Sequence, residues 1–296
     1  MKAEFAGPTR WEPAALLGWF AALGRQDLPW RATRDPWLVL VAEVMLQQTQ
    51  VSRVVPRYEA FVVEFPTALA CAASPASAVI ERWDGLGYNR RALNLWRAAV
   101  TLSECSGGVF SPHLVELLAL PGVGPYTARA VLAFAFEQDV GVVDTNAARV
   151  LARCSGRALT RSEVQRLADV SVPPGCGWSW NQAMLDLGAT VCTARHPRCH
   201  ACPLRRGCRW ADSGFVGPDP AVGSAGVSGP QSRFAGSDRE GRGRLVRALR
   251  SRSVSATELA SVMGWPHDAL RAERVAGTVV ADGLVVCAAG RYRLPG

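Results

Sequence analysis

The stretch that decides the fold is VCTARHPRCHACPLRRGCRW, residues 191–210, which holds four of the nine cysteines of the chain. Cys192, Cys199, Cys202 and Cys208 are separated by six, two and five residues, and we call residues 192–208 the cysteine loop. A segment so rich in Cys, Pro and Arg cannot bury an apolar core, so thiolates bound to a metal ion or cluster are predicted to fix it. The spacing leaves zinc and an iron–sulfur cluster open. Two disulfides are disfavoured, because no N-terminal segment has a signal-peptide pattern.

Composition points to a basic intracellular protein with a polyanionic partner. The chain has 296 residues, enough for two domains, and a formal net charge of +8. Its pI of about 9.3 favours a nucleic acid as partner. Lys2 is the only lysine, and the planar guanidinium of the many arginines suits phosphate. The other five cysteines are scattered, as in a reduced cytosolic protein, and no apolar run is long enough to cross a membrane.

Glu43 is the most unusual residue of the N-terminal half, because it interrupts an apolar helical run, PWLVLVAEVMLQQTQV at 36–51. A carboxylate there is costly unless it has a partner. A carboxyl group kept protonated near neutral pH is what a general acid needs. The alternative is a structural glutamate on a polar stripe with Gln47 and Gln50. The amides from Gln47 to Gln50 could bond base edges, or could be solvated.

Three further turns carry groups that suit DNA. LPWR, residues 28–31, offers an aromatic ring and a cation, for packing or for a pocket. Tyr88 follows the glycines of GLG, residues 85–87, and could stack on bases. Gly-Val-Gly at 122–124 joins two predicted helices and resembles the helix–hairpin–helix motif, whose backbone amides hold phosphate without reading sequence. An ordinary glycine-rich turn is the alternative there.

Two more segments organise the second half of the chain. Asp144 precedes a predicted helix that includes 147–153, where capping is the simple role and a catalytic one is compatible with it. Residues 213–236 are rich in Gly, Ser, Pro and Ala, which predicts a linker. Residues 237–296, the C-terminal module, read as three helices and a hairpin around Gly290, similar to a winged helix that contacts DNA or protein.

Together these segments resemble the MutY-type adenine DNA glycosylases of the endonuclease III (helix–hairpin–helix) superfamily, over residues 28–210. The resemblance implies an all-α fold of two helical lobes with DNA in the cleft between them. It also implies a [4Fe–4S] cluster in place of zinc. One implied lobe is 31–139, and the other combines 1–30 with 140–212 and carries the cluster. The motifs that carry the resemblance are LPWR (28–31), AEVMLQQTQV (42–51), GLGY (85–88), LPGVGPYTA (120–128), VVDTN (142–146), NQAMLDLGATVCT (181–193) and the four loop cysteines.

The resemblance also implies roles for individual residues. Adenine must leave the duplex stack to be reached. Glu43 then protonates its ring and later helps to activate water, Asp144 stabilises the oxocarbenium charge, and Tyr126 borders the same site. The implied base pocket contains Leu28, Trp30, Arg31 and Gln182. The implied DNA contacts are Gln48 and Tyr88 in the stack and Gly122, Val123 and Gly124 on phosphate, and the implied cluster ligands are Cys192, Cys199, Cys202 and Cys208.

Two departures from the family keep alternatives open. The first departure is Thr145, which stands where the family commonly has Gly and is similar in this to endonuclease III itself. The second is the C-terminal module, which is too short for the Nudix-like domain that reads 8-oxoguanine in many relatives. We expect a monofunctional glycosylase that removes adenine opposite 8-oxoguanine or guanine from double-stranded DNA. It would act as a monomer in the bacterial cytoplasm, with the nucleoid. The alternatives are a pyrimidine or thymine-mismatch glycosylase of endonuclease III type and a non-enzymatic iron–sulfur DNA-binding protein.

Overall fold

Helices make up most of the fold. The computed structural model describes residues 11–227 and 233–296, and within these ranges three short strands accompany the helices. The all-α fold class predicted from the sequence is confirmed. The α-helices are α1 (Pro13–Leu23), α2 (Pro36–Leu46), α3 (Val51–Glu64), α4 (Ala68–Ala72), α5 (Ala76–Arg82), α6 (Arg90–Ser106), α7 (Leu114–Leu118), α8 (Pro125–Phe134), α9 (Thr145–Ser155), α10 (Arg161–Ser171), α11 (Gly177–Thr190), α12 (Arg209–Asp212), α13 (Asp238–Leu249), α14 (Leu259–Met263) and α15 (Ala269–Ala281). Short 3₁₀ helices span Pro29–Arg31, Cys199–Ala201 and Ala256–Glu258, and the strands are β1 (Val254–Ser255), β2 (Val286–Ala288) and β3 (Arg291–Arg293).

The described residues group into two compact units, and the first surrounds helices α9 and α11. Unit 1 comprises residues 11–39, 112–114 and 124–227. The apolar faces of α1, α9, α10 and α11 form its core, in which Leu16, Leu151 and Trp180 are fully or almost fully buried. Thr160 and Glu163 form a reciprocal capping box that starts α10. Unit 1 is therefore a helical packing whose centre is the pair α9 and α11.

A close crossing of α9 and α11 fixes the backbone around Asp144. A Cβ atom added at Gly188 of α11 would lie 2.6 Å from the Cβ of Asn146, so glycine allows the helices to approach. Asn181 of α11 accepts a hydrogen bond from the backbone N–H of Val142 at 2.8 Å and donates one to the carbonyl of Val140 at 2.9 Å. The extended segment that leads to Asp144 is thereby held against α11.

Unit 2 is built around helices α3 to α6 and the C-terminal module. It comprises residues 40–111, 115–123 and 233–296. Helix α6 packs against α4 and α5, and Phe61, Phe65 and Trp83 are fully buried beside one another, with ring centroids 4.8 and 6.2 Å apart. Burial of these three aromatic side chains contributes to the apolar stabilisation of this unit.

The C-terminal module has three helices and a small antiparallel sheet. The sheet order is β1-β3-β2, with Tyr292 of β3 paired to both Val254 and Cys287. Helix α13 is capped by Ser237, and α15 by Asp268. The helices bury an apolar centre of their own. This arrangement confirms the winged-helix-like module predicted from the sequence.

Part of the predicted linker packs onto unit 1. The carboxylate of Asp219 pairs with Arg153 of α9 at 2.7 Å, and the hydroxyl of Ser224 accepts a hydrogen bond from the N–H of Leu159 at 3.0 Å. The absence of helical periodicity in this stretch is therefore compatible with a fixed path. Residues 228–232 of the predicted linker and Lys2 lie outside the described residues.

Residues 31–39 and 124–139 belong to unit 1, whereas the sequence placed them in the lobe of residues 31–139. The boundaries of the two lobes remain a prediction. None of the helices formed by residues 11–227 and 233–296 combines the length and the apolar character that a membrane span requires.

Candidate active site and cysteine loop

The four cysteines of the cysteine loop surround one cavity in unit 1. Cys192 follows the end of α11, Cys199 begins a 3₁₀ turn, and Cys208 caps α12. A fifth cysteine, Cys154 of α9, also lines the cavity, and all nine thiols of the chain are free. The other lining residues are Val150, Arg153, Val191, Arg205, Trp210 and Ala211.

Four cysteine thiols that line one cavity form a donor set that suits an iron–sulfur cluster. Among the described residues, no three His, Cys, Asp or Glu side chains converge closely enough to hold one metal ion. A zinc site needs its thiolates about 2.3 Å from one atom, whereas a cluster with several iron atoms accepts thiolates that lie further apart around a cavity. The four thiols are therefore compatible with an iron–sulfur cluster.

The pKa values of the thiols in the cavity are also compatible with a bound cationic group. Burial raises the pKa of Cys192 and of Cys199, and it raises the pKa of Cys202 to about 12. A hydrogen bond from Cys154 lowers the pKa of Cys208 to about 7. Three of the four thiols are thus unfavourable as bare thiolates, and iron atoms that bind them would offset the cost.

Arg153 joins the cysteine loop to α9, and no local sequence pattern singles it out. Its guanidinium is buried, and one Nη donates to the sulfur of Cys192 at 3.3 Å and to the carbonyl of Thr193 at 2.7 Å. The other Nη donates to the carbonyl of Ala194 at 3.0 Å and pairs with Asp219. One side chain thereby fixes the start of the loop and the segment that follows it.

Asp144 caps α9, as the sequence predicts. One carboxylate oxygen accepts the backbone N–H groups of Asn146 and Ala147 at 2.8 and 2.7 Å, and the other accepts the side-chain amide of Asn146 at 2.8 Å. Burial raises the pKa of Asp144, and these hydrogen bonds act in the opposite direction without fully compensating. The sequence analysis considered only the helix N-terminus, which favours the ionised form, and did not include the effect of burial.

The predicted base-pocket residues of unit 1 are all buried. Leu28, Trp30, Arg31 and Gln182 are each less than 9% exposed. The two guanidinium Nη atoms of Arg31 donate to the two carboxylate oxygens of Asp186 at 2.8 and 2.9 Å. Gln182 lies four residues before Asp186 on α11, so both project from one face of that helix. The LPWR segment is therefore fixed against the face of α11 that carries Gln182.

Asp186 is the second residue that the sequence analysis missed. Arg25 also bonds it, through the backbone N–H at 2.9 Å and the side-chain Nε at 2.8 Å. Burial alone would raise the pKa of Asp186, but the hydrogen bonds and charges of Arg31 and Arg25 outweigh burial and hold its pKa below the ordinary value. A carboxylate within NQAMLDLG was the available signal, but its partners lie 155 and 161 residues away.

In unit 2, Glu43 is buried on α2, with 4% of its surface exposed, within a run of fully or nearly buried apolar residues from Val39 to Met45. Gln48 and Tyr88 lie in two turns nearby in this unit, and both have left-handed backbones, with φ of 56° and 46°. Such conformations are costly for residues other than glycine and concentrate at functional sites. Both side chains are exposed, as a residue that enters a base stack must be.

Arg91 holds these two turns together, and this role was not evident from sequence. One Nη donates to the carbonyls of Val44 and Met45 at 2.7 and 2.9 Å. The other donates to the hydroxyl of Thr49 at 3.0 Å and to the carbonyls of Leu86 and Gly87 at 3.2 and 3.1 Å. We call residues 84–90 the Tyr88 turn. Arg91 ties this turn to the end of the helix that carries Glu43.

The glycine-rich hairpin has two glycines with different constraints. Gly122 has φ of 77°, and a Cβ atom there would lie 2.6 Å from the Cβ of Asn94. Gly124 has an ordinary extended φ, and a Cβ there would meet open space. Pro125 then begins α8 at its first position, while Tyr126 is half-buried one residue later. Gly122 is therefore required by packing, whereas Gly124 leaves its surroundings open to a ligand.

The predicted catalytic, DNA-binding and cluster-binding residues divide between the units. Glu43, Gln48, Tyr88, Gly122 and Val123 belong to unit 2. Unit 1 holds Leu28, Trp30, Arg31, Gly124, Tyr126, Asp144, Gln182 and the four loop cysteines.

Two family models match the chain. Residues 41–174 match the HhH-GPD superfamily base excision DNA repair protein, and residues 192–208 match the iron-sulfur binding domain of endonuclease III. The second match coincides with the cysteine loop. It supports the iron–sulfur cluster over zinc.

Two mycobacterial relatives, both adenine DNA glycosylases, match nearly the whole chain. It is 40% identical to the adenine DNA glycosylase of Mycolicibacterium smegmatis, over 96% of this chain and 96% of the relative. It is 38% identical to the adenine DNA glycosylase of Mycobacterium tuberculosis H37Rv, over 98% of this chain and 95% of the relative. Both matches extend beyond the cysteine loop through the C-terminal module.

Two solved structures are similar to about two thirds of the chain. A thermostable thymine-DNA glycosylase is 29% identical with a TM-score of 0.62, covering 68% of this chain and 95% of that one. A trapped endonuclease III–DNA covalent intermediate is 25% identical with a TM-score of 0.59, covering 69% of this chain and 95% of that one.

Proposed function

The chain belongs to the adenine DNA glycosylases of base excision repair, and we propose that it hydrolyses the N-glycosidic bond of adenine mispaired with 8-oxoguanine or guanine without cleaving the strand. The observation that carries the proposed chemistry is Glu43, a carboxyl group buried in the apolar run of α2. A carboxyl group can act as the general acid that departure of a purine base requires. Because the relatives that match nearly the whole chain are adenine DNA glycosylases, we do not favour the two alternatives raised by the sequence, a protein that only binds DNA and a pyrimidine-specific or thymine-mismatch glycosylase.

The proposed reaction uses two carboxyl groups. The enzyme extrudes adenine from the duplex, and Glu43 gives its proton to a ring nitrogen of the base. The bond between C1′ of the sugar and N9 of adenine then breaks, and the electron pair leaves with the base. Water adds to C1′ and passes a proton to the Glu43 carboxylate. The products are free adenine and an abasic sugar, as in other glycoside hydrolyses with an acid and an anionic partner.

Asp144 is proposed as the anionic partner of the oxocarbenium charge. Its carboxylate is already ordered by three hydrogen bonds at the N-terminus of α9, so no reorganisation is needed when the charge develops. Burial raises its pKa, and the same low dielectric strengthens the interaction of the ionised carboxylate with a developing cation. The role requires that the carboxylate stays ionised at working pH.

Base recognition is assigned to the surfaces around these groups. Trp30, Gln182 and Leu28 would contact the extruded adenine, with Arg31 fixed by Asp186 so that it supports the pocket wall. Tyr126 would border the sugar. Gln48 and Tyr88 would fill the gap left in the duplex, and Gly122, Val123 and Gly124 would bind backbone phosphate through N–H groups.

The chain carries a [4Fe–4S] cluster, and we propose that Cys192, Cys199, Cys202 and Cys208 hold it. Their thiolates would bind one iron atom each, and Arg153 would donate a hydrogen bond to the Cys192 sulfur. When bound, the cluster would fix the cysteine loop, so that its arginines face the negative DNA backbone. None of the proposed proton transfers involves it.

Strand cleavage is not expected, because a lyase forms a Schiff base through an amine. Lys2 is the only lysine, and the residue after Gly-Val-Gly-Pro is Tyr126. We further propose that the protein works as a monomer on the bacterial chromosome in the cytoplasm.

The test is single-turnover release of base from duplexes that differ only at one pair. Adenine is placed opposite 8-oxoguanine, guanine, cytosine or thymine, and a parallel set carries thymine opposite guanine or an oxidised pyrimidine. We expect fast adenine release opposite 8-oxoguanine and guanine and slow or no release from the other duplexes. Preferential release of thymine or an oxidised pyrimidine would overturn the substrate proposal.

A further inference from the structure

The C-terminal module contacts the Tyr88 turn at three places. Arg239, at the start of α13, donates from Nη1 to the phenolic oxygen of Tyr88 at 2.8 Å. Arg250, at the end of α13, pairs with Asp84 and donates to the carbonyl of Ile80 at 3.2 Å. Asp282, after α15, pairs with Arg90 at 3.3 Å. Both ends and the tip of the turn are therefore in contact with the module.

These contacts act on a strained segment. Tyr88 is 41% exposed and has a left-handed backbone, which costs about 1–3 kcal/mol for a residue with a bulky side chain. Such a conformation persists only where surrounding groups determine it. From the inner side, Arg91 bonds the carbonyls of Leu86 and Gly87. From the outer side, the phenol is held by Arg239.

Two guanidinium groups lie close to the tyrosine ring. The Cζ atom of Arg91 is 5.7 Å from the ring centroid, and that of Arg239 is 6.0 Å from it. Both distances are within the range of a cation–π interaction. Arg239 also lies 5.8 Å from the ring of Phe234. Tyr88 is thus fixed at its ring and at its hydroxyl, and Arg239 supplies the contact at the hydroxyl.

We propose that Arg239 is a positioning residue for Tyr88, so that the C-terminal module controls insertion of this tyrosine into the duplex. The inference rests on the proposed role of Tyr88 as a residue that enters the base stack. A tyrosine held at its hydroxyl presents its ring to the bases at a fixed angle, which favours stacking. The charge of Arg239 at the same edge attracts the DNA backbone.

Discrimination of the base opposite adenine then depends on the module without a Nudix-like domain. Insertion requires the duplex to open, and the cost of opening differs between pairs. A tyrosine that is correctly held would convert that difference into a difference in rate. Loss of Arg239 should therefore slow excision most for the pair on which the wild type works best.

The test uses the full-length, cluster-loaded chain with Arg239→Ala, Arg239→Lys, Tyr88→Phe and the double variant Arg239→Ala/Tyr88→Phe. Arg252→Ala is the matched control, because Arg252 lies in the same module, carries the same charge and pairs with Glu258 away from the Tyr88 turn. The first readout is fluorescence of 2-aminopurine next to a stable abasic analogue in duplex DNA, which reports insertion without base excision. The second is single-turnover release of adenine opposite 8-oxoguanine and opposite guanine.

We expect Arg239→Ala to slow insertion of Tyr88 about tenfold, the usual scale for a hydrogen bond to a charged group. The rate of adenine release opposite 8-oxoguanine and the rate opposite guanine should become more similar. Arg239→Lys should recover part of the loss, and the double variant should be no worse than the more affected single variant. The melting temperature and iron content should match those of Arg252→Ala, which a merely structural role would not predict.

Wild-type insertion and excision rates in Arg239→Ala, an equal loss in Arg252→Ala, or additive losses in the double variant would each overturn the inference. Failure of the wild type to release adenine would overturn the proposed function instead. The insertion measurement on the abasic duplex would still decide the role of Arg239.

Discussion

Arg31 and Asp186 form a bidentate ion pair in which both side chains are almost completely buried, at 3% and 1% exposure. The pair joins the LPWR segment to α11. Removal of one partner leaves an uncompensated charge in the interior, so Asp186→Asn should lower the free energy of unfolding of unit 1 by about 3–5 kcal/mol. Urea unfolding followed by circular dichroism measures the change. Asp27→Asn, at an exposed position of the same unit, should change stability by less than about 0.5 kcal/mol.

The same pair gives a pH dependence with a definite sign. The pKa of Asp186 is lower in the folded chain than in the unfolded one, where it is about 3.9. Its contribution is therefore present above that value and lost as pH falls through the folded pKa. Stability below pH 4 should decrease less steeply in Asp186→Asn than in the wild type. Equal slopes would show that Asp186 does not titrate as its contacts require.

Glu43→Gln should abolish most of the adenine release, because the amide keeps the size and hydrogen bonding of the side chain but cannot deliver a proton. We expect a loss of roughly a hundredfold or more, the scale of general acid catalysis, with DNA affinity unchanged. Single-turnover release measures the first quantity and a filter-binding assay the second. Glu59→Gln, at an exposed position on α3, is the control and should keep the wild-type rate.

Asp144→Asn extends this prediction to the second carboxyl group. Asn is as good an N-cap as Asp, so α9 should remain intact while the charge is lost. The rate should fall, and the fall should be largest where Asp144 is ionised in the wild type and should shrink as pH decreases. In the wild type, release should decline on the acid side at a pH above the ordinary Asp value, because burial raises the pKa of Asp144. An unchanged rate in Asp144→Asn would remove Asp144 from the mechanism.

Borohydride should trap little or no covalent adduct between the enzyme and an adenine-mismatch duplex. The only side-chain amine of a lysine in the chain is that of Lys2, so a Schiff base has few possible origins. Strands should break only after alkali treatment of the abasic product. Lys2→Arg keeps the charge and removes the amine. An efficient adduct that persists in Lys2→Arg and does not map to the α-amino group would contradict a monofunctional reaction.

The two hairpin glycines should respond differently to alanine. Gly124→Ala adds a methyl group in open space, so the fold should be kept while duplex affinity falls about tenfold through lost amide–phosphate contacts. Gly122→Ala meets Asn94 and a left-handed backbone, and should destabilise the fold by about 1–3 kcal/mol. Thermal unfolding and fluorescence anisotropy separate the two effects. Full DNA affinity in a folded Gly124→Ala would remove this glycine from the phosphate site.

The purified protein should contain about four iron atoms per chain, by analogy with clusters held by four cysteines. Cys199→Ser should lose most of the iron and the visible absorbance, with weaker DNA binding. Cys154→Ala is the matched comparison, because Cys154 lines the same cavity from α9 but is not a proposed ligand. It should keep its iron. One zinc and no iron in the wild type, or loss of iron in Cys154→Ala alone, would overturn the ligand assignment.

Local patterns explain what the sequence could predict. Apolar periodicity marks α1, α2 and α11, cysteine spacing marks the loop, and glycines mark the turns that carry Tyr88 and Gly124. These features depend on residues close together in the chain. Asp186 pairs with a residue 155 positions away, and Arg153 with one 66 positions away. An arginine or aspartate in a helix has the same local pattern whether it is solvated or buried in such a pair.

The same limit applies to the surface of the C-terminal module. Its helices were evident from periodicity, yet nothing in α13 shows that Arg239 meets a tyrosine 151 residues earlier. Asp144 shows a different limit, because the capping residue was recognisable and its burial was not. Burial is a property of the packed chain, and it reverses the direction of the pKa shift that the helix terminus alone would give.

Unit 2 is discontinuous in sequence, and this determines when it can be completed during synthesis. Residues 40–111 leave the ribosome before the whole of α8 to α12 and the cysteine loop, and α13 follows well over a hundred residues later. At about 5–20 residues per second, the Tyr88 turn spends roughly 8–30 s without its contacts to Arg239 and Arg250, since Arg239 follows Tyr88 by 151 residues. A nascent chain can therefore fold its glycosylase helices and receive its iron before the strained tyrosine is held, and only the finished chain fixes it.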